Sequence, residues 1–290
     1  MAVAMVVDGP TARGRMLAGL PVRERRLRVA GVPTTVLEGG DGPPLVLLHG
    51  GIECGGPVWA PVVSRLAEAH RLIIPDVPGL GESEPVALLD AAAFAEWFVE
   101  LIRETCPVEP TLVAHSLGGS LAAGFAAEHG GVLRRLVICA APGIGPYGMP
   151  LRLRVVAIRF ALRPSERNAE RFDRFALLDL DRTREKDPGW FAAFTGYTLS
   201  RAAVPHVKRT MRQLIKTYTK QIPDIELRRI AIPVALVWGR HDRMVPVSLA
   251  EGASARFGWR LHVIDDAAHA PQIEQSDAFV KALVDAGVGR

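Results

Sequence analysis

One serine stands where an extended apolar run gives way to small residues, in Thr111-Leu112-Val113-Ala114-His115-Ser116-Leu117-Gly118-Gly119. The pattern Ala114-x-Ser116-x-Gly118 is that of a nucleophile elbow. Such a hydroxyl must project from a sharp strand-to-helix turn, where only Gly or Ala fits two residues before and two after it. Glycine is commoner where Ala114 stands. A helix opening at Leu117 points its free N–H groups at the reacting oxygen. The competing role for a serine there is a helix N-cap, but the strand that precedes Ser116 favours the elbow. A serine hydroxyl is a weak nucleophile at neutral pH and needs a general base. Among the eight histidines, His269 is best placed, in Asp265-Asp-Ala-Ala-His269-Ala-Pro-Gln-Ile-Glu274, between the last strand and the last helix. A basic imidazole in turn needs a carboxylate to fix its tautomer. Asp242 follows a buried strand in Trp238-Gly239-Arg240-His241-Asp242 and is the candidate. His115 reads as a packing or pocket residue and His49 as structural.

These residues need a scaffold that converges them, and the hydrophobic pattern supplies one. Short apolar runs at 45–48, 72–74, 111–114, 136–139, 234–237 and 261–264 read as strands buried on both faces. Helical patterns alternate with them at 61–69, 90–105, 117–128, 248–256 and 272–285, and 26–29 with 35–38 opens the chain as a hairpin. Strands alternating with helices imply a mostly parallel sheet covered on both faces. From Gly143 to Ile222 the alternation stops. That stretch is Arg-rich and helical, and too long for a loop without structure of its own.

The order of these motifs resembles the α/β-hydrolase superfamily, from about Arg23 to Val284. His49-Gly50-Gly51 is similar to its oxyanion-loop motif, and Asp76-Val-Pro-Gly79-Leu-Gly81-Glu-Ser83 matches its D-x-P-G-x-G-x-S turn. Ala268 replaces the glycine usual before the family's histidine. The position after the earlier strand, where some relatives carry the acid, reads Cys139-Ala-Ala-Pro142 and has no carboxylate. The resemblance implies an α/β fold with a mostly parallel central sheet, helices on both faces and an inserted all-helical cap. The expected parts are a flexible N-terminal arm over 1–20, a core over 21–142 and 223–290, and a cap over 143–222. It also implies a triad of Ser116, Asp242 and His269. The oxyanion hole would use the backbone N–H of Leu117 with that of Gly51, or Ile52 as the alternate. A serine esterase or thioesterase follows, needing no metal or cofactor. A C–C bond hydrolase of the meta-cleavage-product type is the enzymatic alternative, and a non-catalytic ligand-binding protein on the same fold is the alternative of another class.

Composition sets the outer limits. The chain of 290 residues is 49% hydrophobic and 23% charged, which is globular. Three cysteines fit no disulfide framework or zinc pattern. No apolar run is long enough for a membrane span, and the absence of a targeting signal makes the cytoplasm the expected compartment. A net charge of +4 does not point to nucleic acid. Its distribution is uneven: residues 143–222 hold 16 Lys+Arg against 7 Asp+Glu, a balance of +9, which leaves −5 for the rest. Within that stretch Trp190, Phe191, Phe194, Tyr197 and Leu199 are expected to pack the cap's own core, with His115, Trp190, Phe194 and Tyr197 as the candidate lining of a substrate pocket. Arg152, Arg154 and Arg159, and then Lys208, Arg209, Arg212, Lys216 and Lys220, read first as solvated faces. Their second reading is attraction of an anionic substrate or an acyl-carrier partner.

Overall fold

The computed structural model describes residues 9–289. Eight strands form one sheet: β1 (Arg23–Val29), β2 (Val32–Gly39), β3 (Pro44–Leu48), β4 (Arg71–Pro75), β5 (Thr111–His115), β6 (Arg135–Cys139), β7 (Val234–Gly239) and β8 (Arg260–Ile264). Their spatial order is β1-β2-β4-β3-β5-β6-β7-β8. The β1–β2 and β2–β4 pairs are antiparallel, and β4 through β8 run parallel in register, as in Leu47 opposite Val113 and Val137 opposite Ala235. The opening hairpin is longer than its apolar residues suggest, because pairing runs from Arg23 opposite Glu38 to Val29 opposite Val32.

The central strands are apolar throughout because both faces are covered. Alternate residues point to opposite faces. Val46, Leu48, Leu112, Ala114, Leu136, Ile138, Leu236 and Trp238 belong to one core layer. Leu45, Leu47, Val113, Val137, Cys139, Ala235 and Val237 belong to the other.

The helices are α1 (Gly9–Leu17), α2 (Ala60–Ala67), α3 (Ala91–Thr105), α4 (Leu117–His129), α5 (Leu151–Leu162), α6 (Glu166–Ala176), α7 (Leu180–Lys186), α8 (Pro188–Ala202), α9 (Pro205–Tyr218), α10 (Asp224–Leu227), α11 (Val247–Phe257), α12 (Pro271–Glu274) and α13 (Ser276–Asp285). The first core layer takes Phe94, Trp97, Phe98 and Leu101 from α3, Leu121 and Phe125 from α4 and Ala250 from α11. The second takes Met16 from α1, Val62 and Leu66 from α2 and Phe279 and Leu283 from α13. Helices α5 to α9 form the insert between β6 and β7, and no strand occurs in it.

Two expectations are corrected. The expected flexible arm over 1–20 is, within the described residues, the helix α1; residues 1–8 lie outside them. Ala12 and Met16 are buried, and Arg13 reaches Asp76 Oδ2 at 3.1 Å, Glu24 Oε2 at 2.8 Å and the Tyr197 hydroxyl at 3.2 Å. Helix α1 therefore packs on α8 and ties the insert to the turn after β4. The final helix is not continuous over 272–285. Gln275, at φ −141° and ψ 61°, separates α12 from α13. The break lets the Glu274 carboxylate turn back onto the loop that precedes it, accepting from the N–H groups of Ala268 at 2.9 Å and Ala270 at 3.2 Å.

Candidate active site

Four segments meet at one rim of the sheet because each follows the C-terminal end of a parallel strand, where ligands of open α/β sheets bind. Gly50 and Gly51 follow β3, Ser116 follows β5, Asp242 follows β7 and His269 follows β8. Ser116 occupies the elbow at φ 55° and ψ −127°, a backbone conformation that a non-glycine residue rarely adopts. Its N–H donates to the Cys139 carbonyl at 2.7 Å, which ties the turn to β6. The side chain caps no helix N–H. Instead Ser116 Oγ lies 3.0 Å from His269 Nε2.

The carboxylate of Asp242, fully buried, orders the imidazole from the other side. Oδ2 lies 2.9 Å from His269 Nδ1, while Oδ1 accepts the N–H groups of Met244 and Val245, each at 2.8 Å. A carboxylate cannot donate, so Nδ1 carries the proton and Nε2 faces Ser116 as an acceptor. The histidine loop is held by its backbone too. The His269 N–H donates to the Ala176 carbonyl of the insert at 3.0 Å. Glu274 Oε2 accepts the Leu178 N–H at 2.6 Å, and Lys186 donates to the Glu274 carbonyl. Arg243, next to Asp242, donates to the carbonyls of Arg174 and Leu177. The corner at 174–178 is thus bonded to both the acid loop and the histidine loop. Sequence reasoning passed over Glu274 as an anchor and Arg243 altogether; their partners are backbone atoms distant in the chain and leave no local pattern.

Two further histidines support the rim without joining it. His115 Nε2–H donates to the His269 carbonyl at 2.7 Å, and burial, with the nearby His269, pushes its pKa down to about 3. His49 Nδ1–H donates to the Gly50 carbonyl at 2.7 Å while Nε2 accepts the Val77 N–H at 2.9 Å. Both nitrogens are occupied and burial pushes its pKa down, so His49 is a neutral brace.

The loop after β3 lies directly against the elbow. A Cβ on Gly50 would lie 2.8 Å from Ser116 Cβ and 2.9 Å from the His115 carbonyl, so that position needs glycine for the approach, whereas one on Gly51 would meet only the end of the flexible Leu117 side chain, Cδ1 at 2.6 Å. Of the two N–H groups expected from this loop, that of Ile52 is bonded to the Gly50 carbonyl at 2.9 Å. Among the described residues, those of Gly51 and Leu117 meet no protein acceptor. Of the three expected donors, Gly51 and Leu117 therefore keep free N–H groups.

A cavity of about 220 Å³ rises from Ser116 into the insert. Leu153, Phe160, Phe194, Met211 and Ile215 supply much of its apolar wall. His115 and Phe194 line it as expected, but Trp190 and Tyr197 do not. Trp190 stacks on Phe194 with ring centroids 5.2 Å apart, one layer behind the wall. Tyr197 is turned the other way: it receives Arg13 and donates to Glu82 Oε1 at 2.5 Å. Phe191 and Thr198 line the cavity in their place, and Lys208 and Arg212 of the second basic run reach it from α9. Two carboxyls also open into it, Glu53 from the loop after β3 and Asp173 from α6. Burial pushes each up to about 7, and for Glu53 the neighbouring Asp173 adds to the effect.

Comparison with known proteins agrees with the fold. A family model described as alpha/beta hydrolase fold matches residues 43–276. A pimeloyl-[acyl-carrier protein] methyl ester esterase of Vibrio vulnificus is 27% identical over 266 residues, covering 84% of this chain and 94% of its own. Among solved structures, naproxen esterase from Bacillus subtilis superposes with a TM-score of 0.80 at 18% identity, covering 99% of both chains. A 2-hydroxy-6-oxo-6-phenylhexa-2,4-dienoate hydrolase from Rhodococcus superposes with a TM-score of 0.77 at 22% identity, covering 93% of this chain and 99% of that one.

Proposed function

The chain belongs to the α/β-hydrolase fold family, and on that premise we propose that it cleaves a carboxylic ester or thioester through an acyl-enzyme on Ser116. The observation that carries this reading is the unbroken relay from Asp242 Oδ2 to His269 Nδ1 at 2.9 Å and from His269 Nε2 to Ser116 Oγ at 3.0 Å. His269 takes the hydroxyl proton as Ser116 Oγ attacks the acyl carbon. The tetrahedral oxyanion is held by the N–H groups of Gly51 and Leu117. The proton on Nε2 passes to the leaving alcohol or thiol as its bond to carbon breaks. Water, deprotonated by the same nitrogen, attacks the acyl-enzyme and releases the acid, and the proton returns to Ser116.

The cavity supports an acyl group of modest size, since its wall is mainly apolar. The methyl ester esterase of Vibrio supports an ester over other acyl substrates, and Lys208 and Arg212 at the cavity supply attraction for an anionic portion of the substrate. The test is a panel of p-nitrophenyl esters, thioesters and vinylogous diketones, run with a serine-reactive fluorophosphonate on wild type and Ser116→Ala. Ester or thioester turnover, with labelling abolished by Ser116→Ala, is expected. Turnover confined to the diketones would make the chain a C–C bond hydrolase. No labelling and no turnover would leave it a binding protein.

A further inference from the structure

Helix α5 has two apolar faces, and only one of them belongs to the cavity. Leu153, Ala157 and Phe160 point inward and line it. On the opposite side Leu151 is 72% exposed, Val155 40%, Ile158 51% and Leu162 73%. At 3.6 residues per turn, spacings of four, three and four bring these side chains within about 60° of one another. They form a ridge along the whole helix. Arg154 flanks one side, and Arg152 and Arg159 the other, with Arg163 at the end. All four are exposed, and among the described residues none of them makes an ion pair.

A contiguous exposed apolar surface rimmed by polar residues marks an interaction site. Large exposed aliphatics on one helix face with arginines along both margins are the pattern of a helix that lies in the plane of a lipid interface. We propose that α5 docks on an anionic membrane surface, its ridge inserted at the boundary of the acyl chains and its arginines on lipid headgroup phosphates. The chemistry separates this occupant from the others. Two copies meeting through this face would bring eight unpaired arginines together. An acidic protein would match the arginines but not a protruding ridge, which has no groove of its own to be covered. A bilayer accommodates both. No helix among the described residues is long and apolar enough to cross a membrane, so the contact is peripheral. Docked in this way, the lipid surface lies one helix diameter, about 10 Å, from the wall of the cavity.

The test is flotation of the full chain with vesicles of phosphatidylcholine alone or two parts phosphatidylcholine to one part phosphatidylglycerol. Binding to the anionic vesicles is expected, weakening as salt rises. Replacing Leu151 and Leu162 by Ser is expected to lower the partition coefficient about tenfold or more. Replacing Arg152, Arg154 and Arg159 by Gln is expected to lower it about 100-fold. Turnover of a short soluble ester is expected to stay unchanged in both, because none of these side chains faces the cavity; it also reports that the variants fold. Ser116→Ala is expected to float as wild type does, which keeps docking separate from the reaction. Failure to bind anionic vesicles, or binding that survives the leucine replacements, overturns the proposal. Retention by an immobilised acidic carrier protein with no flotation assigns the arginines to a protein partner and overturns it equally.

Discussion

Replacing Asp242 by Asn removes one charge and no heavy-atom volume, yet the structure predicts near-complete loss of activity. The amide has two ways to sit. One oxygen of Asp242 already accepts two backbone N–H groups at 2.8 Å, from Met244 and Val245. Placing an NH₂ there would set three donors against one another, so the amide oxygen stays in that position. The NH₂ then occupies the place of Oδ2, 2.9 Å from His269 Nδ1. That nitrogen must become an acceptor, which moves the ring proton to Nε2 and points an N–H at Ser116 Oγ. The base is present but in the wrong tautomer. The expected fall in kcat/KM is about 10⁴-fold at neutral pH, equivalent to about 5.4 kcal/mol of barrier. Stability should change by no more than about 1 kcal/mol, because both backbone bonds persist. Asp242→Ala is the contrasting variant. It strands the same two N–H groups at about 1–3 kcal/mol each and should lower the urea midpoint as well as the rate. Ester turnover and urea unfolding of the two variants side by side are the assay. The tautomer argument is refuted if Asp242→Asn keeps more than about a tenth of the wild-type rate, against the four decades expected, or if it loses as much stability as the alanine variant.

Two further predictions follow from the cavity and its rim. Gly50→Ala sets a methyl 2.8 Å from Ser116 Cβ and 2.9 Å from the His115 carbonyl, so the loop or the elbow must shift; kcat/KM for a short ester should fall about 100-fold, and a loss below about threefold would mean the loop yields freely. Glu53 and Asp173 hold protons up to about 7, against ordinary values of 4.5 and 3.8. The native state therefore binds protons that the unfolded chain has released, so this contribution to stability is full below about pH 4 and is lost as pH rises through 7. The cavity also gains negative charge over the upper part of that range. KM for a neutral apolar ester should rise as pH passes through about 7, while Tm should fall between about pH 4 and 7 and level off above that. The double variant Glu53→Gln, Asp173→Asn should flatten both profiles; identical profiles in wild type and variant would reject the assignment.

Much of this arrangement is legible in the chain because its signals are local. A buried strand declares itself by an unbroken apolar run, and an elbow by the small residues at 114 and 118. The glycine at 50 is demanded by contacts at the elbow, and the resemblance of His49-Gly50-Gly51 to the family's oxyanion-loop motif gave it away in advance. The pocket resisted the same treatment. Trp190, Phe194 and Tyr197 share one helix, and periodicity does not say which face meets the cavity and which meets α1. That choice is made by Arg13, whose guanidinium draws the Tyr197 hydroxyl away from the site. The helical order of residues 9–17 was hidden for the same reason: its anchors, Asp76 and Tyr197, are remote in sequence. Glu53 and Asp173 carried no signal either, since a single carboxyl takes its meaning from the cavity around it.

The backbone bond from His269 to Ala176 and the grip of Glu274 on Leu178 make the His269 imidazole common property of the two halves of the molecule. Cutting the insert away to expose the serine would not yield a stripped-down esterase with a wider mouth, because the imidazole would lose part of its seat. Transplanting an insert from a relative to alter selectivity faces the same constraint: the donor segment has to bring a corner that presents one carbonyl and one N–H in these places. Engineering of selectivity is therefore best confined to the cavity-facing side chains of α5, α8 and α9, which leave that corner untouched.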